Sequence, residues 1–196
     1  MSPKEKQKSI FTKAIHSGED RARYADSITT PIVQSSTYFF KDSKEIESYT
    51  KNAKKRYEYG RYGNPTEIVA QQRLMVLNSA DDALVFSSGM MAITTTILAL
   101  VESGDHIVIT DDCYGRTLEF CRTYLKRFGI DCTIVPFGDY ELLDSSIREN
   151  TRFVFSESPT NPYLNVFDMV KFRHIGDKHK VITIIDSTFA TPYNQR

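Results

Sequence analysis

The alternation of apolar and polar positions changes period repeatedly along the chain, and each change marks an element. His106–Thr110 (HIVIT), 132–136, 152–156 and 181–185 (VITII) are short runs rich in β-branched residues, of strand length. The run at 181–185 has no polar face and predicts a strand buried on both sides, as in a parallel sheet. A shorter strand is expected at 83–86. Helical spacing covers 66–77, with Ile68, Val69, Leu74 and Leu77 inward, and continues at 91–101, 116–128, about 140–148 and 166–178. Residues 43–56 fit a helix with a charged outer face and a solvated KNAKKR tail, or a basic lip beside an anionic site. Strands alternating with helices of these lengths predict βαβ units: an α/β fold with a mostly parallel sheet and helices on both faces.

In such a sheet, ligands bind outside the carboxyl ends of the strands. Four loops gather at that rim: Ser87-Ser88-Gly89-Met90, DDCYG at 111–115, ESPTNP at 157–162 and DSTFATP at 186–192. Upstream, residues 14–40 hold turn formers and Pro31 and predict an extended arm lying on another surface, after a mobile basic terminus at 1–13. The expected division is an N-terminal arm and helix at 1–60 and a larger domain at 61–196.

Composition narrows the class of partner. The 25 Lys and Arg residues balance the 25 Asp and Glu residues, so no global field points to nucleic acid or a membrane surface. The longest apolar stretch, 93–101, is too short to span a bilayer. Three scattered cysteines without a CxxC pair, and no signal-peptide pattern, lead to an expected cytoplasmic setting. The histidines at 16, 106, 174 and 179 have no metal-ligand spacing, so no metal site is expected. Cys113 has no histidine nearby in sequence to activate it as a nucleophile.

The rim loops suggest a different chemistry. Ser88, Gly89 and Met90 form a small-residue turn at a helix start, where unpaired N–H groups and the helix dipole favour an anion. Neither GxGxxG nor Gly-Lys-Ser is present, so a single phosphate fits better than a chain of them. Tyr114 is either a packed loop aromatic or a flat surface for a ring, and Asn161, between prolines, either a turn residue or a donor to a ring oxygen. Asp186 is either a strand-end cap or the partner of a protonated ring nitrogen, with Thr188 able to support it or the ring edge. In YEYGRYGNPT at 57–66, Tyr59 and Arg61 converge on a phosphate or carboxylate, or the segment is an ordered loop ending in a cap at Thr66. Met90 and Met91 are otherwise expected in the core of the following helix.

YEYGRYGNPT, SSGMMA, DDCYGRT, ESPTNP and DSTFATP, in that order, resemble the Cys/Met-metabolism family of pyridoxal-phosphate (PLP) enzymes, which has the type I aminotransferase-like fold. The resemblance runs from about Ala14 to Arg196. It implies Gly89 and Met90 at the cofactor phosphate, Tyr114 on the pyridine ring, Asp186 at its nitrogen, and Tyr59 and Arg61 at the phosphate of a neighbouring subunit. It therefore implies a homo-oligomer, dimer or tetramer, acting on sulfur amino acids and homoserine esters. YGRYGNPT, TDDCYGRT and TFATPYNQ look most similar to the cystathionine γ-synthases, which replace the γ-substituent of an activated homoserine with cysteine in methionine biosynthesis. The γ-lyases of cystathionine and methionine and O-acetylhomoserine sulfhydrylase share these motifs.

One departure matters. The family's Schiff-base lysine lies downstream of the DSTFATP strand, and no lysine follows Asp186 here. Lys171, Lys178 and Lys180 precede that strand and belong to a helix and its exit. The expectation is an N-terminal portion that stops before the lysine and the C-terminal domain, leaving an apolar sheet edge and face exposed. It would act with a complementing C-terminal chain or, in a different class of role, dock on full-length subunits without chemistry.

Overall fold

The computed structural model describes residues 9–19, 24–51 and 56–195. Two compact units divide between Val85 and Phe86, and each is taken by itself; the expected boundary lay at 60/61.

The first unit holds α1 (Ile10–His16), α2 (Ser43–Thr50) and α3 (Pro65–Asn78). Residues 10–13, expected to be mobile, form the first turn of α1, because the Ser9 hydroxyl accepts the Thr12 N–H at 3.2 Å. The chain then turns against α3 at Gly18, whose φ is 73° and where an added Cβ would stand 2.7 Å from the Gln72 side chain. Arg73 pairs with Glu19 at 2.7 Å beside this turn. Asn64 caps α3, accepting the Thr66 N–H at 2.8 Å with Pro65 at the first helical position. The expected cap, Thr66, lies inside the helix, and its hydroxyl instead accepts the Val33 N–H of the arm at 2.9 Å. Val76 is the buried residue of α3, while Leu74, expected inward, is exposed. The predicted 43–56 helix ends at Thr50, and its KNAKKR tail falls largely outside the described residues. The expected strand at 83–86 forms no ladder among the described residues, and Leu84 is exposed. A strand without a neighbour leaves its backbone groups to water.

The second unit is a parallel sheet in the order β2-β1-β3-β4. Its strands are β1 (His106–Thr110), β2 (Asp131–Val135), β3 (Thr151–Glu157) and β4 (Ile182–Asp186), with α4 (Gly89–Leu100) before β1. After β1 the predicted single helix at 116–128 is three pieces: α5 (Gly115–Glu119), a wide π turn (Phe120–Tyr124) and a 3-10 turn (Leu125–Phe128). The last closes on Gly129 at φ 75°. Next come α6 (Tyr140–Ser145), α7 (Met169–His179) and α8 (Thr191–Asn194).

Alternation along the central strands builds two cores. Ile107, Ile109, Phe153 and Phe155 point to the face covered by Ile97 of α4 and by Cys121 and Leu125. Val108 and Val154 point to the other, against Leu143 of α6 and Phe172 and Ile175 of α7. Helices therefore lie on both faces, and the predicted α/β class is the observed one. The 181–185 run departs from expectation: β4 is an edge strand, and Ile182 is 47% exposed. Its apolar character matches a buried strand, but α7 covers one face and the outer edge has no neighbouring strand among the described residues. The strands buried on both faces are β1 and β3.

Candidate functional site

The carboxyl ends of β1, β3 and β4 deliver the rim loops. At the start of α4, the Ser88 hydroxyl accepts the Met91 N–H at 3.1 Å and the Ser88 carbonyl accepts that of Ala92 at 3.0 Å. The N–H groups of Gly89 and Met90 precede any intrahelical acceptor and are presented outward. A Cβ added at Gly89 would meet nothing within 4 Å, so the space before these donors is open. Ser88 is thus a helix cap. The Met90 side chain turns toward α5, its Sδ accepting the Thr117 hydroxyl at 3.8 Å, while Met91, expected in the core, is exposed.

Across from this helix start, β4 ends at Asp186. Its Oδ1 accepts the Thr188 N–H at 3.0 Å and the Thr188 hydroxyl as well, and its carbonyl accepts the Ser158 N–H at 3.0 Å. The carboxylate is held from its own loop, by the first of the two contacts open to Thr188 in the sequence. Gly89, Asp186, Ser187 and Thr188 line one cleft of about 280 Å³ floored by Ile93, Ile97, Phe155 and Ile184. The cleft joins helix-start donors to a carboxylate over an apolar floor. That pairing fits a flat, apolar-faced ring carrying a phosphate at one end and a protonated nitrogen at the other. The residues present therefore fit the phosphopyridine cofactor.

Tyr114 and Asn161 reach the same rim through a residue the sequence reading passed over, Glu157. Glu157 ends β3, pairs in register with Asp186, and is only 5% exposed. Its Oε2 accepts the Tyr114 N–H at 2.8 Å, and the backbone N–H of Asn161 adds a weaker electrostatic pull on the same carboxyl. Burial pushes this carboxyl above the usual range and the Asp186 charge adds to that, against the two N–H groups, which favour the charged form. A signal was available: an acid closing a strand immediately before a Pro-rich loop, as Asp186 closes β4. The Tyr114 ring is 42% exposed, open to a stacking partner. A second tie joins these loops, Asn165 Nδ2 donating to Asp112 Oδ2 at 2.9 Å.

Tyr59 and Arg61 belong to the first unit. There Tyr59 pairs with Thr37 in an antiparallel bridge, and the Arg61 guanidinium lies 5.1 Å from the Tyr59 ring and 5.6 Å from that of Tyr62. The side chain is exposed on an aromatic shelf.

The remaining reactive groups lie apart. Cys113 is buried and its thiol is pushed up to about 12 by desolvation, which removes it as a nucleophile. Lys171 lies over the Tyr140 ring at 5.3 Å, and Lys178 pairs with Asp144. Lys180 precedes β4, so a rise of about 3.3 Å per residue separates it from Asp186 by the whole strand. Among the described residues no cluster of three His, Cys, Asp or Glu could hold a metal ion, and no helix is long and apolar enough to cross a membrane.

Comparison with known proteins agrees with this geometry. The chain is 41% identical over 185 residues to cystathionine γ-synthase 1, chloroplastic, of Arabidopsis thaliana, covering 93% of this chain and 33% of that protein. It is 38% identical to cystathionine γ-lyase of Bacillus subtilis, covering 94% and 46%. It is 35% identical to L-methionine γ-lyase of Treponema denticola, covering 100% and 49%. Among solved structures, MetB of Corynebacterium glutamicum superposes with a TM-score of 0.88 at 32% identity, over 96% of this chain and 47% of that one. MetY of Campylobacter jejuni, solved with N'-pyridoxyl-lysine-5'-monophosphate, gives 0.89 at 30% identity, covering 95% and 46%. The chain thus spans between a third and a half of the length of these relatives. The model of the family described as Cys/Met metabolism PLP-dependent enzyme matches residues 11–196, and the chain belongs to that family.

Proposed function

We propose that this chain forms the cofactor-holding portion of a cystathionine γ-synthase-like enzyme, which joins an activated homoserine ester to cysteine by γ-replacement. The observation that carries the reading is the single cleft lined by both the Gly89 helix start and Asp186. Bound PLP supplies an electron sink that makes the protons on the substrate's α- and β-carbons removable. The chain's own groups do the holding. Gly89 and Met90 donate N–H groups to the phosphate, assisted by the α4 dipole. Asp186, its Oδ1 fixed by Thr188, keeps the proton on the ring nitrogen. Tyr114 covers a ring face and Asn161 donates to the ring oxygen, so the ring is oriented and one face is shielded from water. In this reading the lysine comes from outside these 196 residues, because none follows Asp186. Tyr59 and Arg61 complete the phosphate site of a second subunit in a cytoplasmic homo-oligomer.

γ-Synthase is favoured over the lyases by the higher identity to the Arabidopsis synthase, 41% against 38% and 35%. The test combines this chain with the lysine-bearing C-terminal portion of a cystathionine γ-synthase and PLP. Cystathionine formed from a homoserine ester and cysteine supports the proposal. Release of 2-oxobutanoate from cystathionine or methionine, without synthesis, assigns the chain to the lyases.

A further inference from the structure

A buried carboxylate costs free energy unless donors meet it, so one retained at the rim invites a reason. Glu157 sits where three loops converge. It accepts the Tyr114 N–H of the DDCYG loop at 2.8 Å, it opens the loop that carries Asn161, and it is the register partner of Asp186. The next residue, Ser158, donates its N–H to the Asp186 carbonyl at 3.0 Å and receives the Phe167 N–H on its hydroxyl at 3.1 Å. Asp186 therefore meets the β3 end through backbone, while the Tyr114 loop meets it through the Glu157 carboxylate. Thr188 holds Asp186 but touches neither other loop among the described residues.

We infer that Glu157 is a positioning residue: it fixes the Tyr114 loop at the height of Asp186, so that the stacking ring meets the plane of the bound ligand. This rests on the cofactor reading above, and goes beyond it by assigning work to a residue that need not touch the cofactor. Gln keeps one acceptor oxygen and replaces the other by a donor that faces N–H groups. Ala removes both acceptors and releases the loop.

Two readouts decide it. The first needs no ligand: amide hydrogen exchange at Tyr114 in the isolated chain. Glu157→Ala should speed that exchange at least about tenfold while Val108 and Val154, in the central strands, keep their protection. If Glu157→Ala does not fold, Glu157→Gln should give an intermediate acceleration. Unchanged exchange at Tyr114 in a folded variant overturns the inference. The second readout is fluorescence anisotropy of pyridoxamine 5'-phosphate, which has no aldehyde and needs no lysine. Glu157→Ala should weaken binding about tenfold in the wild-type background and less than about twofold in a Tyr114→Ala background, because the effect travels through Tyr114. Equal losses in both backgrounds overturn it. Faster exchange in Glu157→Ala with no binding by the unaltered chain leaves Glu157 as the holder of the loop and puts the failure on the cofactor reading.

Discussion

Asp186 and the three cysteines show how neighbours decide what a side chain can do. The Asp186 carboxylate has Oδ1 engaged by Thr188 and lines the cleft. Asp186→Ala should therefore weaken pyridoxamine 5'-phosphate binding about ten- to a hundredfold, the range for losing a charged hydrogen bond, as an anisotropy titration would read directly. Thr188→Ala, which frees but keeps the carboxylate, should cost less. The cysteines separate by environment. Cys121 donates its S–H toward Cys132, which lowers the Cys132 thiol, and Arg122 and Lys126 lower it further. Cys121 and Cys113 are pushed upward in the core. Alkylation of the native chain by iodoacetamide, followed by peptide mass spectrometry, should mark Cys132 ahead of the buried Cys113 and Cys121. At this scale strand-end or helix-start position and residue type made Asp186, Tyr114 and Gly89 candidates with a structural alternative open, and the family resemblance supplied their roles. Glu157 escaped because a lone acid in a loop motif carries no sign of its partners; only the fold brings the Tyr114 N–H to it.

The elements nearest the site are ordinary in their stabilisation, and that makes them testable. Ser88 is the only side-chain cap of α4, so Ser88→Ala should lower stability by about 1 kcal/mol and fray the turn that presents Gly89 and Met90. Urea unfolding measures the first effect, and a matching loss of ligand affinity the second. At the other end of the unit, β4 has no neighbouring strand on its outer edge among the described residues, and Ile182 there is exposed. Ile182→Lys should reduce concentration-dependent association in light scattering without lowering the unfolding midpoint, because a charge on an open edge discourages strand addition at little internal cost. Periodicity found β1 to the residue, and β2 and β3 to within one residue at either end. It could not say which apolar run is central and which is an edge, since 181–185 is as apolar as the strands buried on both sides. The π turn at Phe120–Tyr124 was equally hidden, because its side chains keep a helix-like spacing while the backbone widens.

Across the whole molecule, pH should act through a few buried groups of opposite sign. His106 is buried in the sheet, its Nδ1 2.7 Å from the Thr151 hydroxyl and its Nε2 2.8 Å from that of Thr133. Burial, then the Arg148 charge, lowers its proton affinity, with Asp131 opposing. The unfolded histidine takes up a proton near pH ~6.5. Stability should therefore be complete above that value and fall as the pH drops through it. Asp105, lowered by Arg152, and Asp144, lowered by Lys178 and His179, add stability that is present above the ordinary carboxylate range and is lost in more acidic solution. Glu157 works the other way, its contribution complete in acid and lost as the pH rises through its elevated native value. Urea midpoints from pH 3 to 8 should accordingly decline below about pH 6.5, and His106→Asn should flatten the upper part of that decline.

The same histidine has a consequence of another kind. A neutral imidazole carries one N–H, so of its two threonine neighbours one must accept and the other must donate. Arg148 reaches both hydroxyls, its backbone N–H donating to Thr151 Oγ1 at 2.8 Å and its Nη2 to Thr133 Oγ1 at 3.3 Å. Exchange of tautomer at His106 then requires both hydroxyl protons to swing in concert across three strands. The ring's two nitrogen-15 shifts should behave as a built-in reporter: two well-separated lines while β1, β2 and β3 hold register, merging once any of the three lets go.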